Sequence, residues 1–253
     1  MRLIFFLRSK CDAVYNCEYN HYVQAFIYDL LKDSFFDSLH LKRGYKFFCF
    51  SNIFPIGDLK YGDLRKIVVS SPSRDLLDVL NEKVQNLEEV KIGSFIFEFL
   101  KTKKINLRMD SNIINLITST PIIIRIPVAK ARDSGVEVKP GYRYVFWRFG
   151  MPFQIFFDQL KVNLIKKYSQ YYGKPLSEDS LYLFSTEKIA FTSLKEVSTK
   201  IYYKTGPQTV IGTTWKFTFK NLNKEEKSFL NFSVETGFGE MNSQGFGFMN
   251  IVR

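Results

Sequence analysis

The stretch Leu64-Arg-Lys-Ile-Val-Val-Ser70, followed by Ser73 and the series Leu76, Leu77, Leu80, Val84 and Leu87, decides the fold. Its first part is β-branched and strand-like. Its second part places leucines on one face at helical spacing, with Ser73 as the cap. Upstream, Tyr45 to Phe54 is aromatic and strand-like; downstream, Ile92 to Ile105 returns to extended character. Nearer the start, Asn20 can cap a helix over Tyr22 to Asp33, with Tyr22, Phe26, Leu30 and Leu31 on one side, and Leu3 to Leu7 is an apolar run of strand length. The order is strand, helix, strand, strand, helix, strand, the split β-α-β arrangement of a ferredoxin-like domain. Such a domain packs two helices on one face of an antiparallel sheet and leaves the other face free to bind.

The second half repeats that order more loosely. Ile113 to Val128 is strand-rich around Ile122-Ile-Ile-Arg-Ile126, and Val138 to Arg148 suits one arm of a hairpin. Phe153 to Tyr172 reads as a helix, with Phe156, Phe157, Leu160, Leu164 and Ile165 apolar and Lys161, Lys166 and Lys167 polar. Leu181 to Phe191, Val197 to Lys204 and Val210 to Lys220 are strand candidates. Asn223 to Phe229 allows one or two helical turns; Phe232 to Glu235 and Phe246 to Val252 would close the sheet. The fold class expected is α+β: two tandem ferredoxin-like (RRM-like, βαββαβ) domains with antiparallel sheets, residues 1–110 and 111–253, joined near Met109 to Asn112.

The chain has 253 residues, 45% hydrophobic, with 26 phenylalanines, which is enough for sizeable sheet-rich cores and argues against disorder. Its 36 Lys and Arg against 25 Asp and Glu leave a net charge of +11, which suits a polyanion such as nucleic acid. Cys11, Cys17 and Cys49 form neither a disulfide framework nor a zinc spacing, so reduced thiols are expected. No apolar run reaches the roughly 18 residues of a membrane span, and the N-terminus lacks the features of a signal peptide. A cytoplasmic protein without membrane contact is expected.

Near the C-terminus stands Gly237-Phe-Gly239-Glu-Met-Asn-Ser243-Gln-Gly245-Phe-Gly247-Phe248. Glycines permit positive φ and close backbone approach. Such a loop can turn N–H groups toward a phosphate, or it can be an ordinary hairpin loop between two strands. It is neither a Walker loop nor a dinucleotide fingerprint, because no Gly-Lys-Ser/Thr follows and it does not open a helix.

This segment resembles the C-terminal glycine-rich signature of the CRISPR-associated endoribonucleases of the Cas-six family. Its place near the chain end, the tandem ferredoxin-like layout and Tyr19-Asn20-His21 before the first helix are similar to archaeal members. The resemblance implies a partner, CRISPR repeat RNA in precursor crRNA, with other CRISPR effector proteins as further partners. It implies a monomer or homodimer and no cofactor or metal. It also implies a catalytic group: His40, which follows the first helix, Tyr28 within that helix and Lys46 shortly after the histidine, with Lys42 and Arg43 as alternatives to Lys46. Histidine suits proton transfer near neutrality, lysine suits stabilisation of a phosphorane, and tyrosine can donate a hydrogen bond. Plain alternatives stand beside these roles: Tyr28 as core, His40 as a loop histidine bonded to backbone, Lys46 as a solvated strand residue. RNA contacts are expected from Lys42 and Arg43, from Lys130, Arg132, Lys139 and Arg143 on a flexible loop, and from Gly237, Gly239, Ser243, Gly245 and Gly247. The function implied is metal-independent cleavage within the repeat, leaving a 2′,3′-cyclic phosphate and a 5′-OH. The alternatives are a non-catalytic repeat-binding protein of the same fold and an unrelated protein acting through protein contacts.

Overall fold

A computed structural model describes residues 1–15, 19–176, 182–203 and 206–252, with side chains omitted at 202 and 203. Cys17, and Leu181 and Lys204 at the ends of two expected strands, lie outside these residues. The first half contains β1 (Arg2–Ser9), α1 (Tyr19–Leu30), β2 (Cys49–Phe50), β3 (Leu64–Ser70), α2 (Arg74–Gln85), β4 (Glu89–Ile92) and β5 (Phe95–Ile105). They form an antiparallel sheet in the order β2-β3-β1-β5-β4. This is the ferredoxin-like order with one added edge strand. Alternate residues of β1, Leu3, Phe5 and Leu7, are buried against Val23, Ile27, Leu77 and Leu80 of the two helices. On the opposite face Phe6 lies between Lys66 and Lys101, whose ammonium groups stand 5.2 and 5.5 Å from its ring centre.

The second half contains β6 (Ile113–Thr118), β7 (Arg125–Pro127), α3 (Val128–Asp133), β8 (Tyr144–Phe146), α4 (Phe153–Tyr172), β9 (Ile189–Tyr203), β10 (Gly206–Lys220), α5 (Lys224–Thr236) and β11 (Met249–Val252). Its sheet has the order β11-β6-β10-β9, again antiparallel, so the ferredoxin-like arrangement recurs. The segment β7-α3-β8 is inserted between its first strand and its first helix. A second core gathers around Trp215, stacked 4.5 Å from Phe156 and in contact with Trp147. Residues 106–112 connect the two sheets. Among the described residues no helix is long and apolar enough to cross a membrane.

Local chemistry explains where the elements depart from the sequence reading. β3, α4 and the Ser73 cap of α2 fall where expected, with Ser73 Oγ accepting from Leu76 N–H at 3.3 Å. Asn20 does not cap α1, which begins one residue earlier, at Tyr19. Leu87 lies beyond α2, which ends at Gln85. Tyr45 to Phe54 yields only the two-residue β2, because Phe47 takes φ +54° and interrupts extended backbone. The expected Ile92 to Ile105 strand is β5 from Phe95 onward, and the turn at Gly93, at φ +61°, pairs it with an additional strand, β4, just before it. Within Ile113 to Val128 the sheet strand stops at Thr118, and Ile122 and Ile123 make single bridges to Thr213 and Glu240. Val138 to Arg148 is strand only at β8. The two strands expected between Leu181 and Lys204 are one long β9.

The largest correction concerns the last part of the chain. Asn223 to Phe229 and Phe232 to Glu235 are a single helix, α5, not a short turn and a strand. Asn223 and Glu226 form a reciprocal capping box, with bonds of 2.9 and 3.0 Å. Phe229, Leu230, Ser233 and Val234 are buried at 3.6-residue spacing. The glycine-rich segment therefore joins a helix to a strand and is no hairpin loop between two strands.

Candidate functional site

The glycine loop is a packed element. Phe238, Gly239, Gly245, Phe246 and Gly247 are buried. A Cβ on Gly247 would stand 1.9 Å from the carbonyl oxygen of Phe238, and one on Gly239 2.5 Å from that of Ile123. Both residues also need positive φ, +70° and +69°. Several loop N–H groups already have internal acceptors: Phe238 donates to Gly247 O, Glu240 to Ile123 O, Gly245 to Asn242 O and Gly247 to Pro121 O, at 2.8–3.0 Å. The Gly245 and Gly247 N–H groups thus face protein, and the loop residues that line open space are Glu240 to Gln244, with Ser243 and Gln244 half-buried.

That space is a cleft of about 520 Å³ between the two halves of the chain. Its walls come from α1 (Gln24), the segment before β2 (Tyr45, Lys46, Phe47), α4 (Gln159, Asn163, Lys166, Lys167), Arg125 and the glycine loop. Arg125 pairs with Glu240 of the loop and stacks its guanidinium 4.9 Å above the Tyr144 ring. The halves are also tied behind the cleft, where the Arg2 guanidinium of β1 donates to Met249 O and to Asn250 Oδ1 of β11.

At the edge of the cleft the structure brings Tyr28, His40 and Lys46 together. Lys46 Nζ donates to the Tyr28 hydroxyl at 2.9 Å and to the His40 carbonyl oxygen at 3.0 Å. The Tyr28 and His40 rings lie 6.1 Å apart, and Tyr28 is braced edge-on by the buried Phe48. His40 ends a 3₁₀ turn, Asp37–His40, that follows α1 and is exposed. Its Nδ1 lies 2.7 Å from the Asp37 carbonyl oxygen. A carbonyl can only accept, so Nδ1 carries a proton and Nε2 is the atom left for exchange with a ligand. Lys42 and Arg43 are exposed beside this group, with Lys42 Nζ 5.6 Å from the Phe47 ring centre.

The other expected basic cluster is held differently from the sequence reading. Lys130 and Arg132 sit on the helix α3 rather than on a flexible loop, while Lys139 precedes β8 and Arg143 adjoins it. The Val128 N–H donates to the Arg143 carbonyl at 3.3 Å, which closes the inserted segment on itself.

Lys167 is the residue whose part was least expected. It is 2% exposed rather than on a polar face. Its ammonium donates to Gly237 O at 2.7 Å, Gly239 O at 2.6 Å and Asn242 Oδ1 at 2.6 Å. Burial pulls its pKa down to about 7. A sequence signal existed: Phe156, Leu160, Leu164 and Lys167 follow helical spacing, so this lysine lies on the apolar stripe.

Comparison with known proteins agrees with this layout. Residues 100–251 match the family described as CRISPR associated protein Cas6, C-terminal. A protein of Methanocaldococcus jannaschii named CRISPR-associated endoribonuclease Cas6 2 is 35% identical, with all of both chains covered. A Haloferax mediterranei protein named CRISPR-associated endoribonuclease Cas6 is 28% identical over all of this chain and 94% of its own. Among solved structures, one described as CRISPR associated protein Cas6 superposes with a TM-score of 0.71 at 22% identity, covering 100% of this chain and 99% of its own. A Cas6-related protein from Pyrococcus furiosus superposes with a TM-score of 0.72 at 18% identity, covering 100% and 98%. Family match and full-length identity together place this chain in the CRISPR-associated Cas6 family.

Proposed function

We propose that the chain is a metal-independent endoribonuclease that binds CRISPR precursor RNA and cuts it within the repeat to release crRNA. The observation that carries this reading is the convergence of Tyr28, His40 and Lys46 beside a cleft shared with the glycine loop, in a member of the Cas6 family. In the reaction the 2′-oxygen bonds to the adjacent phosphorus, the bond from phosphorus to the 5′-oxygen breaks, the 2′-OH loses a proton and the 5′-oxygen gains one. The products are a 2′,3′-cyclic phosphate and a 5′-OH. His40 Nε2 serves proton transfer, because Nδ1 is held by the Asp37 carbonyl. The Lys46 ammonium stabilises the charge that builds on the phosphorane, and Tyr28 orients that ammonium through its hydroxyl.

RNA lies along the cleft, held by Ser243 and neighbouring groups of the loop, with Lys42, Arg43, Lys130, Arg132, Lys139 and Arg143 at the phosphates. The glycines Gly237, Gly239, Gly245 and Gly247 contribute by letting the loop pack so closely that its tip faces the cleft. Incubation with cognate repeat RNA in EDTA tests the reading. Expected is one cut with a cyclic-phosphate end, reduced at least about 100-fold by His40→Ala. Binding without cleavage would select a non-catalytic repeat-binding protein, and cleavage untouched by His40→Ala would reject the assigned residues.

A further inference from the structure

The Lys167 cage has a feature that loop anchoring alone does not require. Three acceptors surround the amine within 2.7 Å, and a protonated amine has three N–H donors to match them. A neutral amine has two, and would turn its lone pair on one of these oxygens. The cage therefore fits the cation. Yet among the described residues no carboxylate stands within ion-pair distance of it. A buried cation without a counter-ion is unfavourable.

The groups around it offset only part of that charge. From the glycine loop, Glu240 favours the charged amine through space, but it forms no ion pair with it and its carboxylate is already engaged by Arg125 of β7. From β2, Cys49 is a buried thiol pushed up to about 12, hence neutral. From β1 and α5, Arg2 and Glu235 are of opposite sign to each other, and Glu235 is already paired with the Met1 amino group. From α4 itself, Lys166 adds a second positive charge on the cleft wall. From the segment before β2, Tyr45 offers only its ring, 5.9 Å from the ammonium. The remaining direction is the cleft, which Lys167 lines.

We propose that Lys167 is a positioning residue that holds the Gly237–Gly247 loop in its RNA-receiving shape as a cation and takes its counter-charge from RNA phosphate in the cleft, so that RNA binding and protonation of Lys167 are coupled. The proposal rests on the reading that RNA occupies the cleft. With burial pulling the free lysine down to about 7, the amine is largely neutral at pH 7.5, and phosphate nearby restores the proton. RNA binding then takes up protons above pH 7 and almost none at pH 6.

The test is calorimetric titration of cognate repeat RNA into His40→Ala protein, which lacks the assigned cutting group, in two buffers of different ionisation enthalpy. Expected is an uptake of roughly 0.5–0.8 proton per RNA at pH 7.5, falling below about 0.2 at pH 6. Adding Lys167→Met should abolish the uptake. In otherwise wild-type enzyme Lys167→Met should raise KM about tenfold while kcat at saturating RNA stays within about threefold. Should the methionine variant fail to fold, lysine-¹³Cε NMR of wild-type protein gives the same answer. One lysine should titrate near pH 7 and move up by at least one pH unit with RNA. Tight RNA binding without proton uptake, or no lysine titrating below pH 9, overturns the coupling while the RNA reading survives. No RNA binding at all overturns both.

Discussion

Lys46 Nζ sits 2.9 Å from the Tyr28 hydroxyl, so a residue of α1 and a residue eighteen positions later act on one point at the cleft edge. The same ammonium also holds the His40 carbonyl at 3.0 Å. Removing either partner disturbs the other. Tyr28→Phe should slow cleavage by about 10- to 100-fold, and Lys46→Ala by about 100-fold or more. Because the two act as a unit, the double variant should lose far less than the product of the single losses. Single-turnover cleavage rates of the three variants check this; multiplicative losses would show that the contact has no part in the chemistry.

Electrostatics outside that group should act on binding alone. Lys42 and Arg43 are exposed, and neither takes part in a described ion pair, so both are free to reach phosphates. Each removed phosphate contact should lower the slope of log affinity against log salt by about 0.7–0.9. Lys42→Ala and Arg43→Ala should therefore weaken RNA binding at low salt by a few-fold each and converge on wild type at high salt. Filter binding at several salt concentrations measures the slopes. Lys104→Ala serves as a control, because that side chain already pairs with Asp78 at 2.5 Å; a slope change there equal to that of Lys42→Ala would contradict the assignment.

What the sequence showed, and what it hid, follows from the range of each interaction. β3, α2 and α4 are written in local patterns: a β-branched run, a serine cap and an apolar stripe. α5 reads as two elements because its Phe232 to Glu235 segment is aromatic and β-branched, and only burial of the whole face against the second core selects the helix. The cleft was beyond reach, since its walls come from positions as far apart as Gln24 and Gln244. Tyr28, His40 and Lys46 came from family resemblance, and no spacing rule would have joined them. Lys167 stood in plain view as a lysine on an apolar stripe, but its neighbours Lys161 and Lys166 made it look like one more member of a charged face. Only the positions of the Gly237 and Gly239 carbonyls explain it.

The thiols should differ sharply in reactivity. Cys49 is fully buried between β3 and the end of α5, and burial pushes its pKa up to about 12. The thiolate is the nucleophile, so at pH 8 this residue offers almost none. Iodoacetamide at pH 8 should leave Cys49 unmodified in folded protein and label it only when denaturant opens the interface between the halves. Cys11, which is half-buried, should react before Cys49. Peptide mass spectrometry reads both sites; early labelling of Cys49 would mean that the two halves separate readily.

The glycine loop offers the clearest separation of folding from binding. Gly245 has φ +88°, and a Cβ there would meet the Phe50 ring at 2.7 Å and the Asn20 side chain at 3.1 Å. Gly247 is worse placed, since its Cβ would strike the rigid carbonyl of Phe238. Gly247→Ala should cost about 3 kcal/mol or more, from left-handed backbone strain plus that clash. Gly141, equally left-handed at φ +89° but with nothing within 4 Å, should cost only about 1–2 kcal/mol on the same substitution. Ser243 differs from both: it is half-buried, lines the cleft and has no glycine-only geometry. Ser243→Asp should leave the melting temperature within about 2 °C while weakening RNA binding about tenfold, because it sets a negative charge on the proposed path of the phosphates. Thermal melts and binding isotherms on the three variants divide the loop into parts that build it and a tip that meets RNA. Unaltered RNA binding by Ser243→Asp, at unchanged stability, would remove the loop tip from the RNA path.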